Sequence, residues 1–187
     1  ELMNLLSIKN SIEMKKNGPL KNKTLMLTGK LEGMSRAEAK SLIEKIKHFV
    51  SKEAFNIDGL GKKIVENFWS MNLIKLPQDI FNLDYSKIEN MDGWGKQSVS
   101  NLKYSIDSRK NISFERFIYA LGIRHIGFEN AKLISKSLKS SKNFLNLLKS
   151  NKFEELLNLD GMGETQINSI KNFFLNKTNQ KVLTELM

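Results

Sequence analysis

The chain has 187 residues, enough for one large or two small domains with a real core. Its net charge of +10 comes from 30 basic and 20 acidic residues, and 26 of the basic ones are lysine, which favours a polyanion held by its phosphates over one read by its bases. The absence of cysteine excludes a disulfide framework, a zinc knuckle and thiol chemistry. No apolar run nears the ~18 residues of a membrane span, and no signal peptide is visible, so a cytosolic protein is expected.

In chain order, residues 1–12 read as a weakly helical lead, ending in a basic turn at 15–19. Leu25-Met26-Leu27, closed by Thr28-Gly29, reads as a short buried strand. Ser35 and Glu38 make the S-x-x-E of a capping box. Ala39, Leu42, Ile43, Ile46 and Val50 follow at helical spacing, which predicts one unbroken helix from about Ser35 to about Val50. Further helices are expected at 62–71, 78–82, 96–109, 114–121, 128–139, 142–150, 152–157, 164–175 and 179–187. Pro77 suits an N1 position, and Ser113, Ser141 and Thr178 suit N-caps. In 128–139, Ala131, Ile134 and Leu138 form an inner stripe. The outer stripe of Lys132, Lys136 and Lys139 is either solvated or within reach of a phosphate. Trp69 is assigned to the core, whereas Trp94 either plugs the core or stacks on a base. His48 and His125 are too isolated for a metal site, and no catalytic acid–base pair is evident.

One design recurs four times. I-D-G-L-G (Ile57 to Gly61), M-D-G-W-G (Met91 to Gly95), I-R-H-I-G (Ile123 to Gly127) and L-D-G-M-G (Leu159 to Gly163) align on Gly59, Gly93, His125 and Gly161, at spacings of 34, 32 and 36 residues. A period of that size marks a repeated supersecondary unit. An apolar residue plugs the core, an acidic residue can cap or turn, Gly-x-Gly follows (with His125 in place of the first glycine in the third copy), and a helix starts at once. Glycine allows positive φ and leaves the backbone open to a ligand. The helix start behind it carries N–H groups without partners, a ready seat for an anion. The pattern is that of the helix-hairpin-helix motif, in which hairpin amides hold a nucleic-acid phosphate.

Two stretches resemble known families. K-N-K-T-L-M-L-T-G-K-L-E-G-M-S-R-A-E-A-K-S-L-I-E-K, from Asn22 to about Lys45, is similar to the first strand and helix of a BRCT domain. The resemblance implies that Thr28, Gly29 and Arg36 stand around a phosphate-accepting pocket; a strand end followed by a helix cap accounts for the same residues. I-K-H-F-V-S-K-E-A-F-N-I-D-G-L-G, followed by F-I-Y-A-L-G-I-R-H-I-G, is similar to the bacterial NAD-dependent DNA ligase family. That likeness runs from about Ile46 to Met187, with all four hairpins in order.

The expected architecture is therefore mainly α: residues 1–45 a partial α/β BRCT-like segment, residues 46–187 a tandem helix-hairpin-helix domain. The family places BRCT last, and Glu-Leu-Met stands at both ends of this chain, so a permuted order is expected. The resemblance implies non-sequence-specific binding of nicked duplex DNA in replication and repair, in a bacterial, nucleoid-associated setting. Backbone amides at Gly59, Leu60, Gly61, Gly93, Gly95, Gly127, Gly161 and Gly163 would hold phosphates across the minor groove, and Lys62, Lys63, Lys96 and Arg124 would add charge. NAD and magnesium are implied for a whole ligase, along with adenylation, OB and zinc domains absent here. The adenylated lysine of that family lies in K-x-D-G. Here Asn56, Asn90 and Asn158 take its place before the three Asp-Gly pairs, so no catalytic residue is assigned and this chain alone is expected to be inactive. Two rivals remain: a protein-interaction scaffold, and a helix-hairpin-helix DNA glycosylase, which would need an aspartate downstream of a hairpin where none follows Gly163.

Overall fold

The computed structural model describes residues 34–150 and 152–187, and the chain divides into two units between Leu42 and Ile43. In the first unit, Glu38 Oε2 accepts the Ser35 N–H at 2.7 Å while Ser35 Oγ accepts the Glu38 N–H at 3.2 Å, the reciprocal capping box expected there. It starts α1 (Arg36–Val50), one uninterrupted helix, as its apolar spacing predicts. Arg36 is exposed at its first position. The strand expected at 25–27, with Thr28 and Gly29, lies outside the described residues.

The second unit is built of helices. After the end of α1 come α2 (Lys62–Ser70), α3 (Tyr85–Glu89), α4 (Lys96–Ser108), α5 (Phe114–Ala120), α6 (Phe128–Leu138), α7 (Ser141–Ser150), α8 (Glu164–Leu175) and α9 (Lys177–Leu186). Two segments read as helices, Pro77–Asn82 and Phe153–Asn158, are 3-10 turns. In the first, Asp79 Oδ2 folds back onto the N–H groups of Lys75 (2.7 Å) and Leu76 (2.8 Å), and Pro77 opens the turn as expected. Helix α3 escaped the periodicity reading because five residues are too few to show a period; Asp84 caps it, accepting the Ser86 N–H at 3.2 Å. Two caps also fall earlier in the chain than predicted. Ser140, not Ser141, accepts the Asn143 N–H (3.2 Å), and Asn176, not Thr178, accepts that of Asn179 (3.1 Å). Ser113 holds the N-cap position of α5, although its side chain makes no cap bond.

Aromatic rings pack in two clusters. Phe49 stacks on Phe55 with centroids 4.1 Å apart, and Phe81 meets both edge-on. Phe144 and Phe153 pack on Phe174, and Phe114 packs on Phe144. Trp69 is buried in the core, as assigned. Two arginines stitch the approach to the first hairpin: Arg116 donates to the carbonyls of Ala54 (2.8 Å) and Lys52, and Arg109 to that of Asn56 (3.1 Å). Those carbonyls belong to a non-helical stretch and would otherwise lack partners, so half of the chain's four arginines are committed to architecture. His48 is tied down as well, its Nε2 lying 2.8 Å from the Tyr119 carbonyl oxygen beside the turn at Gly122.

Candidate nucleic-acid interface

The four repeats share one backbone. Gly59, Gly93, His125 and Gly161 all take positive φ, at 88°, 80°, 62° and 83°. His125 thus adopts the glycine conformation where the sequence has replaced the glycine. The next residue, Leu60, Trp94, Ile126 or Met162, donates its N–H to the carbonyl of the entry residue, Ile57, Met91, Ile123 or Leu159, at 3.4, 3.0, 3.1 and 3.0 Å. Leu60, Ile126 and Met162 are buried plugs; half-buried Trp94 sets its ring 5.5 Å from that of Phe68, which places it with the core. Gly61, Gly95, Gly127 and Gly163 follow as extended N-caps of α2, α4, α6 and α8. The first helical bond closes identically in each, from Val65, Val99, Ala131 and Ile167 back to the glycine carbonyl at 3.0–3.1 Å.

This geometry reassigns one candidate donor. The sequence reading counted the Leu60 amide as ligand-facing; it turns inward to Ile57, and the Leu60 side chain fills the core. What the repeat leaves outward is the helix start: the N–H groups of Gly61, Lys62 and Lys63, and their counterparts behind Gly95 and Gly127. Among the described residues, no side chain caps α2, α4 or α6. A Cβ placed on Gly61, Gly95 or Gly127 would meet no described residue within 4 Å, so among the described residues three of the four N-caps stay open.

The hairpins also pack in reciprocal fashion. A Cβ on Gly59 would come 3.3 Å from Leu102 of α4, while Trp94 of the second hairpin packs on Phe68 of α2. Phe68 and Leu102 occupy matching places, each seventh from the start of its helix. Each hairpin of this pair rests on the helix that follows the other. In the second pair, a Cβ on Gly161 would lie 3.9 Å from both Asn130 and Leu133 of α6.

Charge is distributed unevenly over these helix starts. Lys62, Lys63 and Lys96 are exposed, and no acidic residue stands in the first turn of α2 or α4. Arg124 is exposed in the third hairpin, where the other three carry Asp58, Asp92 and Asp160. These four cations make no ion pair with any described residue, whereas Lys132 of the outer stripe is bound to Glu129 at 2.8 Å. Glu129 lies in the first turn of α6, and Glu164 in that of α8. Sequence reasoning missed Gln166, whose Oε1 accepts the Gly163 N–H at 3.1 Å. The signal was present as the Gln of an x-x-Q capping pattern, obscured because glycine stands where that pattern has Ser or Thr. Arg109 and Arg116 were missed because nothing local marks an arginine whose partners are 53, 62 and 64 residues away.

Among the described residues, no group of three or more His, Asp or Glu side chains could hold a metal ion, and no helix is long and apolar enough to cross a membrane. The family model of the helix-hairpin-helix motif matches residues 116–183, which contain the third and fourth hairpins. The chain is 67% identical over 147 residues, 79% of its length, to a DNA ligase of Pelagibacter ubique (strain HTCC1062). It is 48% identical over 155 residues to a DNA ligase of Rickettsia bellii (strain RML369-C) and 45% identical over 155 residues to one of Rickettsia canadensis (strain McKiel), each match taking in 76% of this chain. It spans 22% of the length of each of these relatives. The repeated hairpins and these matches lead to one conclusion: the chain carries a helix-hairpin-helix region and is similar to a stretch of DNA ligases.

Proposed function

We propose that this chain grips duplex DNA by its backbone phosphates, without reading sequence, as the DNA-holding part of an NAD-dependent ligase that works at nicks in replication and repair. The observation that carries this reading is the open, uncapped helix start behind Gly61, Gly95 and Gly127, repeated on one backbone plan. Amides aimed at an anion supply direction, and the helix dipole favours negative charge there. Lys62, Lys63, Lys96 and Arg124 add counter-charge, and Gly59 and Gly93 set the turns that present these amides. Phosphates carry no base identity, so this grip suits an enzyme that must act at any nick. Such binding would hold the parent enzyme on chromosomal DNA of the nucleoid.

The residues present do not fit NAD or magnesium. In the resemblance to that family, Asn56, Asn90 and Asn158 stand where K-x-D-G has its lysine, and among the described residues no group of three or more His, Asp or Glu side chains could hold a metal. On this reading the chain contributes binding, and the chemistry belongs to other parts of a ligase.

The test is a titration of labelled duplexes at several salt concentrations, comparing nicked with intact and original with scrambled sequence. The expected result is binding that weakens steeply with salt and is indifferent to sequence. Absence of duplex binding at low salt would refute it and leave the protein scaffold as the better account.

A further inference from the structure

The four hairpins share a backbone but offer an anion different surroundings. Resting on the reading that open helix starts hold phosphates, we propose that Gln166 and Glu164 close the fourth hairpin to phosphate, so that the grip on the duplex comes from the other three.

At Gly163 the N-cap amide is already engaged. Gln166 Oε1 accepts it at 3.1 Å, and the same oxygen would stand 3.4 Å from a Cβ on Gly163. At Gly61, Gly95 and Gly127 that space is empty to 4 Å. A carboxamide oxygen makes the hydrogen bond that a phosphate oxygen would make, so the side chain acts as an internal stand-in for the ligand. Glu164, the first residue of α8, adds a negative charge at the same helix start, is exposed, and pairs with no described cation. Asp160 lies in the same hairpin. The first two hairpins present Lys62, Lys63 and Lys96 at the corresponding places, and the third carries Arg124. Glu129 in the third is neutralised by Lys132 at 2.8 Å, a relief that Glu164 lacks among the described residues. The remaining features of the fourth hairpin are those of a packing element. Met162 is buried, and Gly161 sits against Asn130 and Leu133 of α6, supporting the helix whose start belongs to the third hairpin.

Opening the seat is therefore a gain-of-function experiment. The double substitution Gln166→Ala with Glu164→Gln is measured on nicked duplex by fluorescence anisotropy across a salt series, with circular dichroism to check the fold. The expected result is tighter binding, by roughly fivefold for one neutral hydrogen-bonded contact, and a salt slope steeper by ~0.9 for the phosphate gained. Affinity and slope unchanged or lowered in the folded double variant would overturn the proposal. Glu164→Gln alone keeps the Gln166 cap and serves if the double variant unfolds; a smaller tightening supports the proposal, and none counts against it. Gly95→Ala, run alongside, separates the two levels of argument. If it weakens binding while the double variant changes nothing, only the role of Gln166 and Glu164 fails. If it too is silent, phosphate binding by hairpin amides fails, and this inference with it.

Discussion

Substituting Gly61, Gly95 and Gly127 together by alanine tests the interface most directly. Their φ angles, −63°, −129° and −77°, lie where alanine is at ease, and a methyl at each meets nothing within 4 Å. The structural cost is then mainly the lower N-cap preference of alanine, about 0.5–1 kcal/mol per site. For a domain of this size that lowers Tm by roughly 2–4 °C per kcal/mol and leaves the fold intact. At the interface, each methyl occupies the approach to the helix-start amides. A lost neutral contact costs about 1 kcal/mol. Three contacts acting separately come to about 3 kcal/mol, or on the order of 150-fold in Kd. The assay is anisotropy on nicked duplex at fixed low salt, beside thermal unfolding followed by circular dichroism. A folded triple variant that binds within about threefold of the parent would refute the reasoning, since the estimate rests on the amides being reached. Gly59 is a poorer choice: with φ at +88° and Leu102 3.3 Å from the added methyl, its alanine variant would confound strain with lost contact.

Three further outcomes are expected. Lys62→Ala combined with Lys63→Ala should flatten the dependence of log Kd on log salt by ~1.8, at ~0.9 per phosphate contact, and an unchanged slope removes these lysines from the interface. Gln78 is 2% exposed and neither amide atom has a hydrogen-bond partner among the described residues, so Gln78→Met should raise stability by about 1–2 kcal/mol; a lowered Tm would show that the amide is satisfied in solution. Glu154 is held below the usual carboxylate range, chiefly by Lys171 at 2.6 Å. A carboxylate with a depressed folded pKa stabilises above its unfolded value near 4.5 and loses that contribution as pH falls through the folded one, so Lys171→Met should reduce the acid-side loss of Tm and leave the shape of the profile above that range unchanged.

Much of this protein is legible without coordinates because its chief signals are local. The hairpin repeat at spacings of 34, 32 and 36 residues, the Ser35–Glu38 cap and the apolar stripe from Ala39 to Val50 each specify backbone conformation within a few residues, where sterics and hydrogen bonding act without outside help. Even the substituted repeat was found by period, and His125 does adopt the left-handed turn. What the folded chain alone decided is which of the repeated amides remain available. Leu60 looked outward in the sequence and turns inward, because its plug position is set by the helices that the hairpin rests on. Nothing in the sequence singles out Arg109 and Arg116, which are bonded to carbonyls far along the chain. Gly163 looked equivalent to Gly61 and Gly95, yet a side-chain rotamer of Gln166 takes its amide. Period and composition define where a turn falls and how a helix begins. Whether a polar group is already satisfied depends on the side chains that folding brings within about 3 Å of it, and in this chain those contacts separate the hairpins that the sequence made alike.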